Sequence, residues 1–275
     1  MNNSMISAMV SMNALQQRLD VIADNMANVN TAGYKKKEAS FEDVLTQVQG
    51  HHKDFDRTGR ATPLGYTLGY GMRLSSVVPN MEQGAMKETG NPLDLMIDGQ
   101  AMFAVQGDGA IGYTREGGFD VSPDARNPNN LLLVNSQGYP VLDVNDNPIS
   151  LPAKGKVAIN ERGQIIVETP TGGRTAPYAT LKLVELERPE GLVAVGDNLF
   201  VLGNGLAEGD VFDTTPPAPG EPSKSKVLSG FVEQSNVNLT DELTKMMEVQ
   251  RAYQLTARAL SSSDTMMNLA NTMRG

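Results

Sequence analysis

Apolar residues return every seven positions at both ends of the chain, and this recurrence limits the possible fold more than any other feature. Near the start, Met5, Met12, Leu19 and Met26 make one row, and Ala8, Leu15, Ile22 and Val29 make a second row three positions on. Alternating steps of three and four keep both rows on one helical face, as the a and d positions of a coiled-coil seam do. Neither Pro nor Gly interrupts that segment, and Asn2, Asn3 or Ser4 can cap its start.

The C-terminal segment repeats the pattern. Leu239, Met246, Tyr253, Leu260 and Met267 recur at sevens, with Leu243 and Ala257 on a second row that Gln250 and Asp264 interrupt. Asn238 or Thr240 can cap this helix, Asp241 and Glu242 suit its positive end, and Ser261-Ser262-Ser263 weakens it near the tail. Each stripe is too narrow for a helix sunk in a globular core, and short isolated helices are marginal in water. The two stripes are therefore expected to form an assembly seam that further chains complete, with ordering of the ends coupled to assembly.

Between the helices the period changes to two. Leu93 to Ile97, Met102 to Gln106, Leu131 to Val134, Gln164 to Val167, Leu181 to Leu186 and Leu199 to Leu202 read as strands. Gly99, Gly107-Asp108-Gly109, Gln137-Gly138, Asn160 to Gly163 and Gly172-Gly173 separate them with turn chemistry. Phe41 to Val48 reads as a short helix, His51 to Leu68 shows no clear period, and residues 215–222, rich in Pro, read as an exposed stiff loop. The expected fold is α+β: N- and C-terminal helices pairing in a coiled-coil-like way, with a central, mainly antiparallel β domain. Residues 1–34 with 235–275 are assigned to the helical domain, 35–80 with 224–234 to a connecting region, and 81–223 to the β domain.

A formal charge of −9 and a pI near 4.8 argue against nucleic acid as a partner, since its binding requires clustered positive charge. The one basic run, Lys35-Lys36-Lys37, is followed at once by Glu38, Glu42 and Asp43. With no cysteine in the chain, neither a disulfide framework nor a thiolate metal site is possible. No secretory signal peptide and no membrane span are expected, because no basic n-region precedes an apolar run and no stretch of apolar residues is long enough.

The motifs that suggest chemistry fail in context. Gly107, Gly109 and Gly112 have dinucleotide-fingerprint spacing, but Tyr113-Thr114-Arg115 continues as a strand where a helix would be needed. Asp143, Asn145 and Asn147 begin like a calcium loop; Pro148 then replaces the required Gly, and Lys154 the bidentate Glu. His51 and His52 are adjacent and cannot close a zinc site alone. Acids are plentiful, yet nothing sets two across a cleft, and no serine has a nucleophile-elbow context. No catalytic, cofactor-binding or metal residue is expected.

Five separated groups of residues point elsewhere. Leu19-Asp20, Asn25, Ala27-Asn28, Asn30-Thr31 and Gly33-Tyr34-Lys35 come first, then Gln83-Gly84, Thr89-Gly90-Asn91-Pro92-Leu93-Asp94-Leu95, Ile97-Asp98-Gly99 and Phe103. Tyr113-Thr114-Arg115, Gly117, Phe119 and Gly138-Tyr139 follow, and then Gly191-Leu192 and Asn198-Leu199-Phe200. The last group runs from Gly230 through Ser235, Asn236 and Asn238 to Glu242-Leu243, Met246, Gln250-Arg251-Ala252-Tyr253 and Asp264. Together these resemble the flagellar rod and hook family of axial proteins, most closely its distal-rod members. Ser11-Met12-Asn13, Asp24 and Ala101 depart from the family pattern.

The resemblance implies a structural subunit rather than an enzyme. Such a subunit leaves the cell through the flagellar type III export apparatus without a cleaved signal. It then polymerises helically through its terminal helices, with itself and with other rod and hook subunits, into the tubular drive shaft of the basal body outside the cytoplasmic membrane. In that arrangement the terminal helices form the inner layer of the tube. A hook subunit, or a cap or adaptor on the same axis, is the alternative; a wall-cleaving enzyme of rod growth is a third. The stretch Asn25 to Lys35 is expected to be a joint, in which Asn28 and Asn30 end the helix and Gly33 turns the chain, so that Gly33→Val should impair assembly more than the β fold.

Overall fold

The computed structural model describes residues 2–43, 47–50, 65–68, 71–107, 109–124, 130–152, 156–168, 177–196, 198–213 and 224–273. It divides into two compact units. A helical unit comprises residues 1–27, 37–78 and 238–275, and a β unit comprises 28–36 and 79–237. Helices lie at the two ends of the chain and antiparallel strands between them, so the fold class is α+β.

In the helical unit, the N-terminal helix spans Asn2–Ala27 and the C-terminal helix Leu239–Thr272. Asn25, near the end of the first, donates to Glu242, near the start of the second, so the two run antiparallel. Leu15, Ile22 and Val249 are buried between them, with Leu19, Met26, Met246, Ala252 and Tyr253 packed around. On the first helix Met5, Ala8, Met12 and Leu19 are half-buried, as is Val29 beyond its end, in the β unit.

On the second helix the row at sevens is half-buried except at its first residue. Met246, Tyr253, Leu260 and Met267 are half-buried, but Leu239 and Leu243 are 44% and 42% exposed. The inward second row stands three positions on, at Glu242, Val249, Thr256 and Ser263, instead of four on at Leu243 and Ala257, although Ala257 is itself half-buried. Leu243 stands outside the contact between the helices, and the inward position beside it holds the buried carboxylate of Glu242. Of the two candidate caps, Asn238 serves, its Oδ1 accepting from the Thr240 amide at 3.0 Å.

Two strand pairs complete this unit. Lys37–Asp43 pairs with Met72–Pro79, and Gln47–Gly50 runs antiparallel to Gly65–Leu68. The short helix expected from Phe41 is thus a strand where described. Its side chains alternate, with Ala39 and Phe41 half-buried and Glu38, Ser40 and Glu42 exposed, a period of two that the turn-rich sequence beyond obscures. The Arg18 guanidinium lies 5.9 Å over the Phe41 ring. His51, His52, Gly172-Gly173 and the Pro-rich stretch 215–222 lie outside the described residues.

The β unit is built on a six-stranded antiparallel sheet in the order Leu192–Gly196, Leu199–Leu202, Ile111–Thr114, Ala101–Gln106, Leu183–Leu186 and Phe212–Asp213. The strand Ala101–Gln106 is buried on both faces, which is why it reads as a continuous apolar run. Ala101, Phe103 and Val105 face a core shared with Leu95, Phe119, Leu133 and Ile165. Met102 and Ala104 face another, with Tyr113, Leu142, Phe200 and Phe212. The first core is roofed by two three-stranded antiparallel sheets, one from 120–123, 130–134 and 150–152, the other from 156–159, 164–168 and 179–180.

Gly107, Gly109 and Gly112 lie at the hairpin between two strands of the main sheet, where Gly107 N–H donates to Ala110 O at 2.9 Å, as the strand-like residues after it require. Asp143 to Asn147 is a turn whose carboxylates are engaged by protein donors: Asp143 Oδ1 accepts from the Thr180 amide and Asp146 from Lys182. Phe103 and Phe119 meet edge to face at 5.1 Å with neither ring exposed. Phe103→Ala should therefore cost the β unit about 3–5 kcal/mol, read as a lowered midpoint of its unfolding transition in urea.

Candidate assembly site and its buried charges

Among the described residues each unit holds one buried carboxylate, and several of the family-like residues gather around these two. Glu233 ends the strand Phe231–Glu233, which pairs with Met86–Glu88, and is 2% exposed. Its Oε1 accepts from Lys35 Nζ at 2.6 Å and from the Gly84 amide at 2.7 Å, while Oε2 lies 3.4 Å from Arg115 Nη1. Two cations thus share one carboxylate. The excess positive charge is met by carbonyl dipoles: Glu82 O accepts from Lys35 Nζ at 2.7 Å, and Gly99 O from Arg115 Nη2 at 2.6 Å. Burial lowers the Lys35 ammonium below the ordinary lysine range, with Glu233 opposing the shift, and it lowers the Arg115 guanidinium in the same way.

The backbone around this cluster is equally constrained. Gly33 N–H donates to Glu233 O at 2.8 Å. Asn236 accepts from the Lys36 amide at 2.7 Å and donates to the carbonyls of Asn80 and Glu82 at 2.9 and 3.0 Å. Gly33 has φ +70°, and a Cβ there would stand 2.5 Å from the Glu116 nitrogen. Gly33→Val is therefore expected to strain the β fold as well as to impair assembly. Gly33 is packed against the backbone of the β unit itself, and a branched side chain would displace it. The left-handed residue of this stretch is Gly33; neither Asn28 nor Asn30 has positive φ. Asn28 instead accepts from the Thr31 hydroxyl and amide at 3.1 and 3.2 Å.

Glu242 is 1% exposed in the helical unit. One oxygen accepts from Asn25 Nδ2 at 3.4 Å and the other from Lys245 Nζ at 3.0 Å. Asn25 also forms a two-way amide pair with the Lys37 backbone, accepting from its N–H and donating to its C=O, each at 2.9 Å. One asparagine side chain thus ties the end of the first helix to both the following strand and the second helix. A buried polar pair at a helix contact fixes register, because sliding would strand a buried charge.

The remaining family-like residues are mostly turn and packing positions. Tyr34 is buried, Asn30 exposed. Asn91 caps the turn holding Gly90 and Pro92, bonding Asp94 at 3.1 Å; Pro92 O accepts from Ser229 at 2.9 Å. Asp98 is exposed opposite Lys226. Tyr113 donates to Glu208 at 2.7 Å, and burial together with that bond raises the phenol above its ordinary value. Thr114 accepts from the Glu116 amide and Ser235 from the Val237 amide, while Gln250 and Arg251 are exposed. Sequence reasoning marked Lys35, Arg115 and the segment containing Glu233 without seeing that they converge. The signal was Glu233 itself, an acid at a strand position in register with Phe231. Both carboxylates are engaged by hydrogen bonds and buried from solvent, and in the Glu233 cluster only Arg115 Nε, among the described residues, lacks a partner, an arrangement suited to holding geometry rather than to reacting.

Three family descriptions match the chain: "Flagella basal body rod protein" over residues 5–35, "Flagellar hook protein FlgE/F/G D1 domain" over 96–167 and "Flagellar basal body rod FlgEFG protein C-terminal" over 228–273. Asn25 and Lys35 fall in the first, Arg115 in the second, and Glu233 and Glu242 in the third. The chain belongs to the flagellar basal-body rod and hook family. It is 32% identical over 280 residues to the flagellar hook-basal body complex protein FlhP of Bacillus subtilis, with 100% of each chain covered. It is 31% identical over 280 residues to the flagellar basal-body rod protein FlgG of Borreliella burgdorferi, covering 100% of this chain and 99% of that one. A FlgG of Buchnera aphidicola subsp. Schizaphis graminum is 34% identical over 263 residues, covering 93% and 94%.

Glu233→Gln leaves two buried cations without a countercharge and should destabilise the β unit by about 3–5 kcal/mol, measured by denaturant unfolding of the full chain. Retention of wild-type stability would mean that the cluster is not balanced as described.

Proposed function

We propose that this chain is a structural subunit of the flagellar basal-body rod, of the distal-rod type, and that it polymerises helically through its terminal helices into the drive shaft. It is not an enzyme: its relatives are named as rod and hook-basal body proteins along their full length. The observation that carries the reading is the apolar surface that the helix pair leaves uncovered. On the C-terminal helix Leu243 and Met247 flank the inward face on one side, and Leu255, Met266, Leu269 and Met273 flank it on the other, all exposed. Ile6 and Met9 are exposed on the N-terminal helix.

Two dissimilar flanks favour head-to-tail contacts, which build open helical filaments rather than closed dimers. The helices are also unequal, with 26 and 34 residues. With Asn25 opposite Glu242, the first helix runs out near residue 265 of the second, leaving the final turns from Met266 to Thr272 to extend roughly 10 Å beyond it. A neighbouring copy or another axial subunit supplies their cover, and the coiled-coil-like pairing matures with it. Export proceeds through the type III apparatus without a cleaved signal, and the subunit resides in the basal body outside the cytoplasmic membrane. Among the described residues, no helix is long and apolar enough to cross a membrane.

Leu19 and Leu243 separate the two roles of the helices. Leu243→Asp, on the exposed flank, should leave the subunit folded with unchanged helical circular dichroism but abolish rod assembly and swimming. Leu19→Asp, inside the helix pair, should lower helical content as well. Rods built normally from Leu243→Asp subunits would show that this flank takes no part in assembly.

A further inference from the structure

Ten of the fifteen methionines lie in the two terminal helical segments, and those of the β unit's cores are shielded. Met96 and Met102 are 3% and 0% exposed. On the helices Met9, Met247 and Met266 are 59%, 51% and 59% exposed and Met273, just past the helix end, is 87% exposed, on the same flanks that carry Ile6, Leu243, Leu255 and Leu269, while Met86, on a strand of the β unit away from these flanks, is 55% exposed. The uncovered surface is thus part thioether, a group both soft enough to fit non-identical neighbours and open to oxidation.

We propose that Met9, Met247, Met266 and Met273 are oxidation sites of the free subunit, that their sulfoxides exclude it from the rod, and that the rod protects them once formed. This rests on the reading that a second copy of the chain covers these flanks. In the reaction the thioether sulfur attacks a hydroperoxide, breaking the O–O bond. One oxygen joins sulfur, which loses two electrons, and the peroxide is reduced to water or the corresponding alcohol. The product places a strong, unpaired hydrogen-bond acceptor at a contact that must lose its water on assembly. A methionine sulfoxide reductase reverses it.

The test treats the purified full-length subunit and isolated basal bodies with hydrogen peroxide and reads each methionine by mass spectrometry. The four should oxidise about tenfold or more slowly in basal bodies than in the subunit, a protection equivalent to losing most solvent access on burial. In cells, replacing all four by Leu, which keeps the apolar volume, should preserve rods; replacing all four by Gln, which supplies polarity like that of a sulfoxide, should abolish them. Equal oxidation rates in the two preparations would overturn the proposal, as would a Gln set that builds rods or a Leu set that does not. Chains absent from basal bodies altogether would instead remove the axial reading beneath it.

Discussion

A single buried carboxylate, Glu233, sets the conditions for the rest of the β unit. It neutralises one of two cations, Lys35 and Arg115, that come from opposite parts of the chain, and the uncompensated charge forces the carbonyls of Glu82 and Gly99 to turn inward. Buried ion pairs add little net stability, because desolvation offsets attraction, but an arrangement missing one partner is costly. The cluster therefore selects one geometry against alternatives. Since Gly33 donates to the backbone of Glu233, the segments by which the chain enters and leaves the β unit are held side by side. For a subunit of a torque-bearing shaft, that is where slack would do most harm.

The helical unit solves a related problem with less charge. Its inner contact is only moderately apolar, since Thr256 and Ser263 share the inward row with Val249, and Glu242 occupies its first position. Such a contact orients the two helices through Asn25 and Glu242. The stronger apolar groups stand outside it, at Leu243, Met247, Leu255, Met266 and Leu269. The apolar surface of the helical unit is thus divided between an inner contact and exposed flanks.

Much of this was legible in the sequence. The N-terminal seam follows from strict period alone, because Leu15 and Ile22 are buried where the heptad puts them. The strands of the main sheet were visible for a different reason: runs such as Met102 to Gln106 are apolar on both faces and bounded by turn residues. On the C-terminal helix hydrophobicity does not mark the inward side, because the helix turns Leu243 outward and Glu242 inward. In a polymerising chain, apolar character marks surfaces that will be covered, and those are not all covered within one subunit. The Glu233 cluster was out of reach for another reason: its members are separated by up to 198 positions, and only the folded β unit brings them together. The strand at Phe41 was missed because its alternation is short and its flanks are polar.

The central claim is that this chain is built into the rod in many copies. Labelling it in cells and imaging extracted basal bodies tests that claim most directly. Label distributed along the rod, and stopping where the hook begins, is the predicted result. Label confined to the hook, or to a single band at one end of the rod, would contradict the account.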